Sequence, residues 1–202
     1  MKKRCLVLIG GVSEYAYLLE QIIKCKALWN YFVGKYERDH IYNLNYQPIM
    51  DKHALVMKSI FDPIRLILTP NGWAAERYVN ETLQKLSQEY EEVDVISHSQ
   101  GSWMVMKADV KLNNLWNFAN PIGWFSPLAR TAVRINIGKP KVEVKNLYYI
   151  YSSKDLISKR PPEIKGKWTC KADYIEVIDT YTSHDMRDYI SKINYKYPWV
   201  LR

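Results

Sequence analysis

The sequence predicts an α/β protein built on a mainly parallel sheet, with helices on both faces in a three-layer sandwich. Short runs of aliphatic and β-branched residues alternate repeatedly with stretches whose apolar residues recur at helical spacing. The strand-like runs are largely apolar, as expected of strands that are covered on both faces. Neither an internal repeat nor a low-complexity linker divides the 202 residues, so we expect one domain over residues 1–202.

The predicted elements follow one another along the chain. The first strand, Leu6–Ile9, ends at two glycines and precedes a helix that Ser13 can cap. Residues 34–62 are an insertion without a readable pattern, in which His40–Tyr46 alternates weakly like an edge strand, and the turn Thr69–Gly72 follows the second core strand. Further strands are predicted at Arg65–Leu68, Val93–Ile96, Leu115–Ala119, Leu147–Tyr151 and Tyr174–Ile178, and further helices at Ala74–Tyr90, Ser102–Leu112 and Met186–Ile193.

Composition excludes several classes of protein. Apolar residues make up 48% of the chain and charged residues 25%, which is typical of a globular protein and excludes a disordered tail. No run approaches the roughly 18 apolar residues of a membrane-spanning helix, so no transmembrane segment is expected. The three cysteines have unrelated spacings and form neither a disulfide framework nor a zinc pattern. This favours a reducing compartment, and we expect a cytoplasmic protein.

The charge balance favours an anionic partner without identifying it. A formal net charge of +8 suits a phospholipid, a nucleic acid, a wall polymer or an acidic small molecule. The basic residues are spread along the chain, however, and a solvated surface is the plainer interpretation of such a spread. We therefore expect no specific nucleic-acid binding, and the oligomeric state is left open.

The stretch from Val93 to Trp103 carries the clearest chemical signal. A strand leads into a tight turn with Ser99 at its apex, and a helix begins directly afterwards. Such a strained turn projects the serine hydroxyl clear of the backbone, and the small residues Ser97 and Gly101 let neighbouring backbone pass close. The start of the helix offers unpaired N–H groups and a positive dipole end to a developing oxyanion.

This stretch resembles the nucleophile elbow of the α/β-hydrolase family. Ser97-x-Ser99-x-Gly101 is similar to the family motif, with serine where glycine is usual, and His98 stands where many lipases and esterases have histidine. The resemblance implies a compact α/β-hydrolase fold with little or no cap domain. It also implies a serine hydrolase of the lipase or esterase kind.

The order of residues along the chain extends the resemblance. Asp155 follows a predicted strand in a loop similar to the family's acid loop, and His184 precedes the last helix, where the family's histidine lies. The resemblance implies a catalytic triad in which Ser99 attacks a carbonyl, His184 transfers the proton and Asp155 orients the imidazole. Each residue also has a plainer interpretation: Ser99 as a helix cap, His184 as a surface residue at a helix start, and Asp155 as the first residue of a turn.

The resemblance also implies an oxyanion hole made by two backbone N–H groups. One donor is Gln100, and the other is Val12 or Gly11 in the loop after the first strand. Three aromatic residues are candidates to line an acyl pocket, although they are explained equally well as core residues. These candidates are Trp73, Trp124 and Phe125.

The sequence therefore predicts a serine hydrolase that cleaves an ester, thioester or similar acyl bond through an acyl-enzyme on Ser99, without a metal or cofactor. The expected substrate is a small-molecule or lipid acyl compound, and the positive charge favours an anionic one. The alternative is a catalytically inactive binding protein with the same fold, whose basic surface binds nucleic acid or an anionic membrane.

Overall fold

The computed structural model describes residues 3–11, 36–46, 48–49, 70–121, 131, 140–155, 157–158, 173–178 and 184–192. The strands and helices with described bounds are β1 (Arg4–Ile9), β2 (Ile41–Asn43), α1 (Pro70–Glu89), β3 (Glu92–His98), α2 (Gln100–Lys107), β4 (Lys111–Phe118), β5 (Glu143–Ser152), β6 (Tyr174–Ile178) and α3 (Met186–Lys192). A short 3-10 turn, Arg38–His40, precedes β2.

The described strands form one parallel sheet whose strand order reverses at β1, next to the edge strand β2. The spatial order is β2-β1-β3-β4-β5-β6, and every neighbouring pair is parallel. The register pairs Ile9 with Ser97 and His98 with Phe118, so β1, β3 and β4 end side by side. Later strands of the chain lie on both sides of β1, with β2 on one side and β3 to β6 on the other. Ligands of such sheets bind beyond the carboxyl ends of the strands, next to the point where the strand order reverses. The loops after β1 and β3 meet there.

The sheet is covered on both faces. One face packs against α1 and α2 in an apolar cluster that includes Val79, Leu83 and Trp103. The other face packs against α3, through Met186 and Ile190 among others. Because strands buried on both faces cannot place polar residues at alternate positions, the apolar runs seen in the sequence follow directly from this arrangement. The predicted three-layer α/β architecture is confirmed.

Helix α1 illustrates how the sequence determines which face is buried. Ala75, Val79, Leu83 and Leu86 recur at intervals of three or four residues, and all four are buried. Charged residues such as Lys85 occupy the solvent face. Within the part of the chain that the structure describes, no helix is both long and apolar enough to cross a bilayer.

Most of the predicted strands coincide with observed strands. The runs beginning at Leu6, Val93, Leu115, Leu147 and Tyr174 lie in β1, β3, β4, β5 and β6. The weak alternation from residue 40 to residue 46 corresponds to the edge strand β2, which is only three residues long. The helix predicted after Ser13, the strand predicted at 65–68 and most of the 34–62 insertion lie outside the described residues.

Two predicted boundaries are wrong. The turn predicted at Thr69–Gly72 contains the first residues of α1, which begins at Pro70. Proline suits a first helical position because its fixed φ is helical and an N–H at this position has no intrahelical acceptor. The helix predicted at Ser102–Leu112 ends at Lys107, and Leu112 belongs to β4. Only three residues separate α2 from β4. This segment is too short for the pattern of apolar residues to show where the helix ends and the strand begins.

Candidate active site

Ser99 occupies the single position between β3 and α2. Its backbone has φ 50° and ψ −119°, outside the regions that non-glycine residues favour, and such strain costs on the order of 1–3 kcal/mol. The Ser99 N–H donates to the carbonyl oxygen of Phe118 on β4 at 2.9 Å, which ties the turn to the sheet. The side chain makes no capping hydrogen bond to α2, so the hydroxyl is not used as a helix cap.

The residues on either side of Ser99 explain why the turn can be so tight. A Cβ on Gly101 would lie 2.5 Å from the carbonyl oxygen of Gly10 and 2.7 Å from that of Ile9, so only glycine allows α2 to approach the end of β1. Ser97, where glycine is usual in the family, is fully buried, and its hydroxyl donates to the Trp116 carbonyl oxygen at 3.4 Å. This contact shows how the serine is accommodated.

A chain of hydrogen bonds joins the three predicted triad residues. Ser99 Oγ lies 2.7 Å from His184 Nε2, and His184 Nδ1 lies 2.8 Å from Asp155 Oδ2. The arrangement that satisfies both contacts has the imidazole Nδ1–H donating to the carboxylate and the Ser99 hydroxyl donating to Nε2. His184 is held in a left-handed backbone conformation with φ 62°, two residues before α3.

The Asp155 carboxylate is fully buried and accepts several hydrogen bonds in addition to that of His184. Oδ1 accepts from the backbone N–H groups of Ile157 at 2.6 Å and Ser158 at 3.1 Å, which is the turn that the plainer interpretation predicted. Oδ2 accepts from His184, from the Tyr189 hydroxyl at 2.5 Å and from the Ser158 hydroxyl at 3.2 Å. The turn and the contact with the imidazole therefore use different oxygens of one side chain.

This environment keeps Asp155 ionised. Burial alone would raise the pKa of its carboxyl group, but the hydrogen bond and charge of His184 act in the opposite direction. Hydrogen bonds from Tyr189 and Ile157 add to that effect, and together these groups hold the pKa of Asp155 well below its usual range. A permanent negative charge therefore faces Nδ1 of the imidazole.

Asp185, the carboxylate next to His184 in the sequence, binds Arg187. Asp185 Oδ1 accepts from the Arg187 backbone N–H at 2.8 Å, which caps the start of α3. The Arg187 guanidinium also binds this carboxylate, and it lowers the pKa of Asp185. Asp185 therefore caps the start of α3, whereas His184 contacts Ser99.

Two backbone segments next to Ser99 correspond to the predicted oxyanion donors. Gln100 is the first residue of α2, so its N–H is among those without an intrahelical acceptor. A Cβ on Gly11 would lie 2.9 Å from Ser99 Cβ and 3.5 Å from Ser99 Oγ, which places the loop after β1 directly beside the hydroxyl. Val12, the other predicted donor, lies outside the described residues.

Comparison with solved structures identifies the fold. The crystal structure of esterase PE8 has a TM-score of 0.50 with this structure at 12% sequence identity, over 90% of this chain and 86% of that one. The chain has the α/β-hydrolase fold. A variant of SOBER1 from Arabidopsis thaliana has a TM-score of 0.48 at 12% identity, over 98% of each chain. No family model matches the sequence, and no curated protein sequence matches it either.

Several residues around this candidate site were not predicted from the sequence. Tyr189 is fully buried on α3 and donates to Asp155. His98 is buried, and its ring centroid lies 5.3 Å from that of His184. Tyr46 reaches Gln100 from the segment after β2. The chain has 16 tyrosines, and only the fold distinguishes these two from the others.

The predicted pocket aromatics remain predictions. Trp73 lies in the first turn of α1 rather than in a loop, and 54% of its surface is exposed. Trp124 and Phe125 lie outside the described residues. A cavity of about 770 Å³ lies at the amino ends of the strands, where β3, β4 and β5 begin. Its walls include Lys111 and Glu143. It does not adjoin the carboxyl-end loops that hold the predicted triad.

Other candidate chemistries have weaker support in the described part of the chain. Burial raises the pKa of the Cys5 thiol to about 12, with nearby carboxylates adding to the effect, so this cysteine is a poor nucleophile. Among the described residues, no group of three or more His, Cys, Asp or Glu side chains is arranged to hold a metal ion.

Proposed function

We propose that the chain is a serine hydrolase that cleaves an ester, thioester or similar acyl bond, with Ser99, His184 and Asp155 as its catalytic triad. The observation that carries the proposal is the continuous hydrogen-bonded chain from Ser99 Oγ through His184 to Asp155 Oδ2, with links of 2.7 and 2.8 Å. Two conditions strengthen it: the serine is on a strained turn, and the acid is a fully buried anion.

In the acylation step, Ser99 Oγ attacks the carbonyl carbon of the substrate while its proton moves to His184 Nε2. The carbonyl π electrons move onto oxygen, and the resulting oxyanion accepts hydrogen bonds from the backbone N–H groups of Gln100 and of Gly11 or Val12. The tetrahedral intermediate then expels the alcohol or thiol, which takes the proton from His184 Nε2. Ser99 is left as an acyl ester.

Deacylation repeats these events with water as the nucleophile. His184 Nε2 accepts a proton from water as the water oxygen attacks the acyl carbon, and a second oxyanion forms in the same place. Collapse of this intermediate breaks the bond to Ser99 Oγ, and His184 returns the proton to the serine. The carboxylic acid leaves and the enzyme is regenerated.

Asp155 contributes by holding the imidazole and by stabilising its charge. With Nδ1–H bonded to Oδ2, the lone pair on Nε2 is directed at the serine hydroxyl, so the base has the required tautomer. When His184 is protonated in the transition state, the buried anion faces the new charge at 2.8 Å. Asp155 does not take up the proton, because its own pKa is held low.

The acyl substrate is proposed at the level of its chemical class. A small-molecule or lipid acyl compound fits the site, and the formal net charge of +8 favours an anionic one. The structural similarity to a protein named as an esterase is in line with an ester substrate. Initial rates on a matched pair of neutral and anionic acyl esters would test the preference for charge.

The direct test is covalent labelling with a fluorophosphonate probe, measured by intact mass. We expect one adduct on the wild-type chain and none on Ser99→Ala, and we expect p-nitrophenyl acetate turnover in the variant to fall at least about a thousandfold. Circular dichroism should give the same spectrum for both proteins, because the substitution removes a single oxygen and adds no atom to this buried position.

Ser87→Ala provides the matched control. This serine lies on α1, where its hydroxyl donates to the Gln84 carbonyl oxygen at 2.8 Å, so it should label and turn over like wild type. A folded wild-type chain that forms no adduct would contradict the proposal and would favour the inactive binding protein. Labelling that persists in Ser99→Ala would assign the nucleophile to another residue.

A further inference from the structure

Tyr46 lies between the two backbone segments that would bind the oxyanion. It follows the edge strand β2, only 1% of its surface is exposed, and it belongs to the apolar core cluster. Its hydroxyl oxygen is 2.9 Å from the carbonyl oxygen of Gly10 and 3.2 Å from Oε1 of Gln100. One phenol therefore contacts both the loop after β1 and the first residue of α2.

Counting donors and acceptors gives the direction of these hydrogen bonds. The Gly10 carbonyl can only accept, so the single phenol proton is best used there. Gln100 is 2% exposed, and its Nε2 has no hydrogen-bond partner among the described residues. If the terminal amide is turned by half a rotation, Nε2 donates to the Tyr46 oxygen, and the buried amide nitrogen gains a hydrogen-bond partner. The chain then runs from Gln100 through Tyr46 to Gly10.

Holding the Gly10 carbonyl also fixes the next N–H group. The carbonyl of Gly10 and the N–H of Gly11 belong to one planar trans peptide, so they point in opposite directions. Two consecutive glycines leave this peptide free to rotate unless something restrains it, because glycine has access to most of the backbone conformations. The bond from Tyr46 supplies that restraint on one side of Ser99, and the contact with Gln100 supplies it on the other.

We propose that Tyr46 is a positioning residue for the oxyanion hole. Its hydroxyl holds the Gly10–Gly11 peptide and Gln100 in a fixed relation, so that the two backbone N–H groups converge on one point beside Ser99. The inference rests on the proposed hydrolase function and extends it to a residue from the insertion after β1. The competing interpretation is that Tyr46 only fills the core with its ring.

Tyr46→Phe separates the two interpretations because it keeps the ring and removes the hydroxyl. We expect kcat for p-nitrophenyl acetate to fall about tenfold with KM within about twofold, since a misplaced donor weakens only the transition state. The matching thionoester should lose much less rate, because sulfur accepts hydrogen bonds weakly and gains little from the oxyanion hole. The ratio of oxoester to thionoester rates should therefore fall by about the same factor as kcat.

Two further variants distinguish a specific loss of activity from one caused by misfolding. Tyr42→Phe removes a phenol from β2 whose partner is the Tyr90 hydroxyl at 2.6 Å, and it should leave kcat and the oxoester to thionoester ratio unchanged. Gln100→Met removes the amide but keeps the backbone N–H, so it should lower kcat in the same way as Tyr46→Phe. The double variant should lose no more than the larger single loss, because both changes break one chain of hydrogen bonds.

The outcomes distinguish this inference from the function on which it rests. A wild-type chain that neither labels with the fluorophosphonate nor hydrolyses esters would overturn both. A reactive wild type with an unchanged rate ratio in Tyr46→Phe and in Gln100→Met would overturn the positioning role alone. A loss of kcat in which oxoester and thionoester rates fall equally would also overturn the positioning role, because the hydroxyl would then support the site in general and not the oxyanion donors.

Discussion

Asp94 and Asp155 have similar surroundings at two different regions of the sheet. Both side chains are fully buried, and each accepts a hydrogen bond from a tyrosine hydroxyl, Tyr36 at 2.6 Å and Tyr189 at 2.5 Å. Each also accepts at least one backbone N–H. Burial and hydrogen bonding alone therefore do not distinguish a structural carboxylate from a catalytic one.

The remaining partners of Asp94 are groups that do not change their protonation near neutral pH. The side-chain amides of Asn114 and Asn113 donate to Oδ1 at 2.7 and 3.1 Å. The Arg4 guanidinium lies 3.7 Å from Oδ2, and arginine stays protonated in proteins. Since Asp94 is in the middle of β3 and these partners come from β1 and β4, the cluster joins three adjacent strands.

Asp155 differs because one of its partners can gain and lose a proton. His184 connects it to a hydroxyl on a strained turn, and imidazole is the side chain that titrates in the neutral range. In the described residues, non-glycine residues with positive φ occur at Ser99, Ala119 and His184, all near the carboxyl ends of the strands. Backbone strain of this kind concentrates at functional sites. The feature that marks the proposed site is thus the hydrogen-bonded connection from Asp155 through His184 to a hydroxyl on a strained turn.

Replacing each aspartate by asparagine should separate these roles. We expect Asp155→Asn to lower kcat/KM by about a thousandfold or more, because the amide no longer selects the imidazole tautomer that can act as a base. Asp94→Asn should leave the activity per folded molecule unchanged. Both should lower the free energy of unfolding by about 1–3 kcal/mol, because an amide nitrogen then faces hydrogen-bond donors. Initial rates and urea denaturation measure the two quantities.

Activity per folded molecule is the decisive comparison for this pair. Ester hydrolysis is measured well below the denaturation midpoint of each variant, and the folded fraction corrects the rate. Equal losses of corrected activity in the two variants would show that both carboxylates act through stability. Such a result would remove the distinction between Asp94 and Asp155.

The sequence predicted the parts of the site that depend on local order. Ser99 could be found because a strand, a tight turn and a helix occur within ten residues of one another, and the glycine at 101 has a steric reason. Asp155 and His184 each follow a strand, and parallel strands bring their carboxyl ends to one edge. The structure brings these three side chains together, and their catalytic role stays a proposal.

The sequence could not predict the parts that depend on long-range contacts. Tyr46 is 54 positions from Gln100, and Tyr189 is 34 positions from Asp155, with no local pattern to link them. The start of β4 was interpreted as helix for a related reason. Asn114 is polar because it binds the buried Asp94, 20 residues away, so the strand does not begin with an apolar residue pattern.

The tyrosines that donate to the two aspartates offer a finer test. Tyr189→Phe should lower kcat/KM about three- to tenfold, because Asp155 Oδ2 loses a donor and the carboxylate is held less firmly. The acidic limb of its pH–rate profile should move to higher pH, since a carboxylate with fewer donors stabilises protonated His184 more strongly. Tyr36→Phe should change neither quantity, although each substitution should cost about 1 kcal/mol of stability.

The pH–rate profile is the measurement that a purely structural role would not affect. A fall in kcat/KM for Tyr189→Phe without a shift of the acidic limb would mean that the hydroxyl only stabilises the fold around Ser152 and Ser158, which it also contacts. An equal effect from Tyr36→Phe would contradict the comparison between the two regions.

The smallest expected effect is on stability in acid. The folded-state pKa of Asp155 is lowered, so its carboxylate stabilises the fold above the unfolded-state pKa of about 3.9, and that contribution declines as the pH falls. Asp155→Asn lacks this contribution at every pH. The difference in free energy of unfolding between wild type and Asp155→Asn should therefore narrow by about 1 kcal/mol between about pH 5.5 and pH 3. Urea denaturation of both proteins across this range measures the difference, from which the other carboxylates cancel. If the difference in free energy of unfolding stays constant or widens towards pH 3, Asp155 is not held as a stabilised anion. The case for Asp155 as the catalytic acid would then depend only on its distance to His184 Nδ1.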